Sequence, residues 1–208
     1  HTITPQVIRY YPRFLWFLLL CYSMIIVLAN WFDARLIHVF GLDTDAGTLV
    51  FPLTFLLSDL ITEVYGYKNA RLAIWCGFLF NFIFILYGQV VIHLPSPLYP
   101  TQNILFDTLL ATNIRIIAAS AISYFSSEPL NAYIMAKLKI KMHGRYVGWR
   151  FVLSTLLASG VDSFIFSILA FGGMMSFINL ARLILTMWLL KVIIEIIGLP
   201  VSIRLAAW

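Results

Sequence analysis

Between Val50 and Tyr67 the chain reads VFPLTFLLSDLITEVYGY, an apolar run long enough to cross most of a bilayer that nonetheless carries Pro52, Asp59 and Glu63. Asp59 and Glu63 stand four apart, so on a helix both carboxylates leave from one face. A carboxylate near the middle of a membrane helix costs roughly 2.5–3.5 kcal/mol on insertion scales. A chain that retains two on one stripe uses them. Composition names the solvent: charged residues are 11% and hydrophobic residues 62% of the chain, against about 25% charged in soluble domains. Mean hydropathy is +0.93. Lipid is therefore the solvent for most of the 208 residues, with no room for a soluble catalytic module.

About 20 mainly apolar residues are needed per crossing. Six segments fit that ruler: 14–30, 47–66, 72–93, 107–138, 150–172 and 178–204. They predict an all-α, polytopic membrane protein with six transmembrane helices in one domain spanning 1–208. The run from Phe14 is too long for a signal-peptide core and is followed by further spans. The fourth segment exceeds a simple span; either its start is an interfacial piece near Ile104–Ala111, or it breaks near Pro129. The linker 93–103 holds three prolines and reads as a turn-rich loop. Three spans per half are compatible with an inverted 3+3 repeat. The second and fifth spans would then correspond, with Asp59 and Asp162 near their middles.

Ten of the fourteen Lys and Arg residues fall on one side of these spans. They run from Arg9 and Arg13, through Lys68, Arg71 and the group from Lys137 to Arg150, to Arg204. The opposite connections carry Asp33, Asp43, Asp45 and Asp107 against Arg35 and Arg182. The positive-inside rule then places both termini in the cytoplasm. The net charge of +5 sits in short connections and does not signal nucleic acid. Cys21 and Cys76 lie inside apolar runs without metal-ligand spacing, so neither a metal nor another cofactor is expected.

At membrane depth the acids are Asp59, Glu63, Glu128, Asp162 and Glu195, and the bases are Arg115 and Lys191. Lys191 and Glu195 are spaced to satisfy each other along one helix. Arg115 could neutralise one more acid across spans. Three acids then lack a basic partner, a penalty of roughly 8–10 kcal/mol. Neutral acids hydrogen-bonded to neighbouring helices are the purely structural alternative. At 1.5 Å per residue, Asp59 lies about 18 Å below the outer end of its span, and Asp162 lies a similar distance from the inner end of the fifth. Thr155, Ser159, Asp162 and Phe166 form a stripe, and Asn81 and Gln89 add polar groups on the third span. Asn81, Ser123 and Thr155 taken singly also suit interhelical hydrogen bonding. Together the set predicts a polar chamber near midplane.

An excess of carboxylates wants donors: a cation, a proton or a ligand rich in N–H groups. A guanine-like base fits, because its ring N–H and exocyclic amine pair with one carboxylate in a bidentate way. Phe51, Phe55, Tyr65, Trp75, Phe80, Tyr124 and Trp188 are candidates to stack on such a ring. No nucleophile–base pair or metal motif points to an enzyme. No phosphate-binding G-x-x-x-x-G-K-[ST] loop is present, so any ATP would be used by another chain.

The stretch FPLTFLLSDLITEVYGYKNAR (51–71) resembles the signature of the queuosine precursor transporter family, also called the vitamin uptake transporter family. Arg115 leading into IIAAS, the S-x-x-L-x-x-Y…K-L-K pattern of Ser127–Lys139, and the S-T…D-S-x-x-F…A-F-G-G pattern of Ser154–Gly173 extend the likeness. The resemblance implies a six-helix importer of the bacterial inner membrane for 7-deazaguanine precursors of queuosine, serving tRNA modification. Carried over by position, it implies Asp59, Glu63, Arg115 and Asp162 as site residues; with the buried polar groups already noted, the substrate-site candidates are Asp59, Glu63, Asn81, Arg115, Glu128, Ser159 and Asp162, with Lys191 and Glu195 for coupling or gating. Where members often carry Gln, Asp and Gln, this chain has Glu128, Asn131 and Ser159. An acid in place of an amide changes the donors a pocket accepts, which keeps queuine and a cationic aminomethyl precursor in contention beside the nitrile. The expected partners are a small nucleobase and the lipid bilayer, with no nucleic acid; association into a homo-oligomer stays open. The rival to a self-sufficient secondary transporter is the substrate-binding subunit of an ATP-driven vitamin importer. The first span lacks the repeated small-residue face on which such subunits dock.

Overall fold

The computed structural model describes residues 13–112 and 114–207; Arg9, part of the charge argument, lies outside them. Helix α1 (Leu15–Phe32) leads into an antiparallel hairpin, β1 (Leu36–Val39) and β2 (Leu42–Asp45), and a 3₁₀ turn at Gly47–Leu49. Then follow α2 (Pro52–Tyr65), α3 (Tyr67–Ile92), α4 (Asn103–Thr112), α5 (Ile114–Lys141), α6 (Val147–Phe171) and α7 (Phe177–Ala206). Five spans, α1, α2 with its preceding turn, α3, α6 and α7, are long and apolar enough to cross a bilayer; α4 and α5, meeting at 42°, make up a sixth if taken together. The chain is an all-α, polytopic membrane protein, with the hairpin an unexpected addition.

Local chemistry sets the boundaries. Pro52 opens α2, where its missing N–H costs nothing. Gly66, at φ +85°, takes a left-handed conformation open to glycine and separates α2 from α3 by a single residue. The third span therefore begins at Tyr67 rather than 72. Of the two readings of the long fourth segment, the separate opening piece is the one adopted, and α5 runs on through Pro129. Phe40 and Gly41 have φ of +52° and +79°, the pair a type I′ hairpin turn requires, with Val39 opposite Leu42.

Helix α2 is the inner element. Of its span 61% is buried, against 17% for α3 and α7, whose outer faces expose Leu79, Ile83, Ile193 and Ile197 to lipid. Its 14 residues rise about 21 Å, less than the roughly 30 Å hydrocarbon core. It is nonetheless enclosed by contacts to α1, α3, α5 and α7. One apolar cluster gathers Tyr22, Ile26, Phe51, Phe55, Ile61 and Tyr124. A second gathers Phe166, Phe171, Leu183 and Met187.

Candidate functional site

Buried polar side chains run through the bundle in layers, from the end bearing the hairpin to the end bearing most of the basic residues. At the hairpin end Asp45 accepts the Thr48 N–H (2.6 Å) and Thr48 Oγ1 (2.8 Å), capping the turn that leads into α2. Asp33, just past α1, accepts from Ser120 Oγ at 2.6 Å, and Asn30 Oδ1 also lies against that hydroxyl. Glycine is required at 47, because a Cβ there would collide with Asp33 Oδ1 and the Ala29 carbonyl. Burial pushes the Asp33 carboxyl well above its ordinary range, and the nearby Asp45 carboxylate adds to the rise.

Deeper in, Lys191 Nζ donates to Asp162 Oδ2 at 2.5 Å and to Ser163 Oγ at 3.3 Å. It also lies 5.1 Å from the centre of the Phe51 ring. Ser127 Oγ donates to Asp162 Oδ1 at 3.2 Å. Both partners of this ion pair are almost wholly buried, where removing either leaves an uncompensated charge.

The next layer holds three carboxyls. Thr54 Oγ1 donates to Glu128 Oε1 at 2.6 Å. Asn131 Nδ2 donates to Asp59 Oδ1 at 2.7 Å, and Ser154 Oγ lies 3.3 and 3.4 Å from the two Asp59 oxygens. Glu195 sits beside Asp59 and Thr155 without a donor to either of its oxygens. Glu128 Oε2, Asn131 Oδ1 and the hydroxyls of Ser58, Thr155 and Ser159 are likewise buried and unpartnered. At the basic end, Arg150 holds Glu63 through two bonds of 2.6 and 3.1 Å, with Lys139 at 3.5 Å.

Asp59, Glu128, Ser159, Asp162, Lys191 and Glu195 are thus all buried on inward faces. Four expectations are corrected. Lys191 does not pair with Glu195: a lysine one turn before a glutamate is the weaker orientation for a helical pair, and Asp162 on α6 offers a closer, doubly supported partner. Arg115 neutralises no acid among the described residues. It is exposed and donates to the carbonyls of Leu169 (2.9 Å) and Gly172 (2.6 Å), where a cation suits the negative end of α6. Glu63 belongs to the Arg150 clamp rather than to the acid layer. Asp33 and Asp45, expected in an outer connection, are buried at 6% and 0% exposure and extend the layers. Asn81 is buried on α3 with Oδ1 unpartnered but does not line the interior void.

That void lies between the two apolar clusters, bounded by Phe51, Phe166 and Met187 and by Asp33, Thr48, Ser120, Asp162 and Lys191. Its volume is about 10 Å³, room for about one water. Of the predicted site residues Asp162 and Lys191 line it, whereas Asp59, Glu63, Arg115, Glu128, Ser159 and Glu195 are not in its lining. Outside it, between the hairpin and α7, lies an open cleft of about 760 Å³ bordered by His38, Asp43, Asn179 and Arg182. Among the expected stacking aromatics Phe51 lines the void, Phe55 and Tyr124 are core, and Trp75 and Phe80 are exposed.

The chain is thus a helical membrane bundle that turns most of its span charges inward, away from lipid. Residues 45–205 match the family described as "Putative vitamin uptake transporter", and the chain belongs to that family. It is 27% identical over 177 residues to the "Probable queuosine precursor transporter" of Bacillus subtilis (strain 168), covering 84% of this chain and 76% of that protein. No solved structure matches the chain.

Proposed function

We propose that this protein imports 7-deazaguanine precursors of queuosine across the bacterial inner membrane by secondary transport, for use in tRNA modification. The cargo is 7-cyano-7-deazaguanine, 7-aminomethyl-7-deazaguanine or queuine, and both termini face the cytoplasm. The observation that carries the reading is the set of buried acceptors, Glu128 Oε2 and Asn131 Oδ1 beside Asp59, with no N–H donor of the protein on either and only the Tyr22 and Ser58 hydroxyls near Glu128. A base with a ring N–H and an exocyclic amine supplies the missing donors. The relative's name supports the same cargo. Asp59, Glu128 and Asp162 serve as acceptors, while Phe51 and Phe166, which both line the void, stack on the ring. Opening between α2 and α6 admits the base, since a bicyclic ring is many times larger than one water.

A thermal-shift panel of purified protein against guanine, the nitrile and aminomethyl precursors and queuine tests the cargo. Stabilisation by a deazaguanine but not by guanine is the expected result, and no shift with any of them would sink the reading. Uptake by cells expressing only this chain separates self-sufficient transport from the role of a binding subunit in an ATP-driven importer.

A further inference from the structure

Glu195 is the buried acid that base recognition leaves unused. It is 0% exposed on α7, and neither carboxyl oxygen receives a donor. Its neighbours explain why no cation answers it. From α2 it faces Asp59, and from α5 Glu128. From α6 it meets the unpartnered hydroxyl of Thr155. Lys191, one turn away on its own helix, is committed to Asp162 at 2.5 Å. Arg150 and Lys139, the bases toward the basic end, are committed to Glu63.

Two adjacent buried carboxyls do not both ionise. Their environments decide which holds the charge. Asp59 accepts from Asn131 at 2.7 Å and faces Ser154 Oγ through both oxygens, an arrangement that fits a carboxylate. Glu195 has only the Thr155 hydroxyl beside it, thinner support than Asp59 receives, which fits a neutral acid. We propose that Glu195, set against Asp59, is the proton-binding site that couples cargo uptake to a transmembrane pH gradient. This rests on the base-transport reading above. With the proton on Glu195, Asp59 and Glu128 are free to accept the N–H groups of the base. With it gone, three carboxylates crowd one buried layer and the base is bound less well. Proton and base therefore favour each other's binding, reciprocally. A proton taken up from outside with a neutral base is released inside with it, so each cycle carries one positive charge inward.

The test uses the full chain in liposomes with labelled 7-cyano-7-deazaguanine. Wild type accumulates label when the outside is acidic, and a protonophore abolishes the accumulation. Glu195→Gln loses accumulation at least tenfold while still exchanging label across the membrane at symmetric pH. Gradient-driven accumulation persisting in Glu195→Gln overturns the proposal, as does wild-type accumulation driven by sodium and indifferent to the protonophore. Absence of label exchange in wild type would instead defeat the base-transport reading beneath it. Should Glu195→Gln not fold, wild-type liposomes loaded with a pH-sensitive dye decide the matter: cargo added outside must acidify the lumen, and a flat trace refutes coupling.

Discussion

Lys191 reaches across to Asp162 on α6, with Nζ 2.5 Å from Oδ2, and turns away from Glu195 on its own helix. One contact thereby divides the interior into a neutralised layer on the hairpin side and a layer of three carboxyls beyond it.

Breaking this pair from one side leaves a buried charge alone. Asp162→Asn and Lys191→Met should each destabilise the protein by about 3–5 kcal/mol, read as a fall in melting temperature in detergent. The double variant should recover much of the loss. Additive losses would mean that the two side chains do not act as a pair.

Glu128 accepts one hydrogen bond from Thr54 and has a second oxygen free. Glu128→Gln should leave folding intact and lower the preference for the aminomethyl cation over the nitrile by about tenfold, or 1.4 kcal/mol. Ligand-induced melting shifts provide the measurement. An unchanged preference would remove Glu128 from the cargo site.

Asp59 gathers donors from α5 and α6 at the heart of the acid layer. Asp59→Asn should abolish uptake while expression and melting behaviour persist. Normal uptake in that variant would leave Asp59 a purely structural place.

Arg115 and Arg150 hold the two ends of α6 and touch no proposed cargo group. Arg115→Ala should cost about 1 kcal/mol through the lost interaction with the helix end. Arg150→Ala should cost about 3 kcal/mol, because it strands Glu63. Cargo-induced stabilisation should survive in each folded variant, and its loss would extend the cargo site to that end.

The Asp33 carboxyl, raised by burial and by Asp45, links stability to pH. A raised acid is favoured in its neutral form when folded, so its contribution is full below the ordinary value of 3.8 and is lost as pH rises through the elevated one. Wild type should therefore lose melting temperature over that rise, while Asp33→Asn shows a flatter profile. Parallel pH profiles for the two proteins would contradict the linkage.

The burial of Asp59, Glu128, Asp162 and Glu195 was legible in the sequence, because carboxylates at membrane depth carry a penalty that an inward position relieves. Their partners were less so. The spacing of Lys191 and Glu195 advertised a local pair, yet the choice of Asp162 depends on how α6 and α7 face each other. Arg115 sits at membrane depth in the sequence, but the carbonyls it caps belong to the far end of α6, a position that only tertiary structure supplies. The hairpin escaped notice because its strands are four residues each and its turn places Phe40 in a left-handed conformation that phenylalanine rarely takes. Asp45 three residues before Thr48 was a readable capping signal, hidden by the assumption that acids between spans are solvated.

The void between Phe51 and Phe166 has space for about one water. A cargo of any size must therefore first part those two rings, so the step that admits it is a rearrangement of α2 against α6 and not diffusion into a standing pocket.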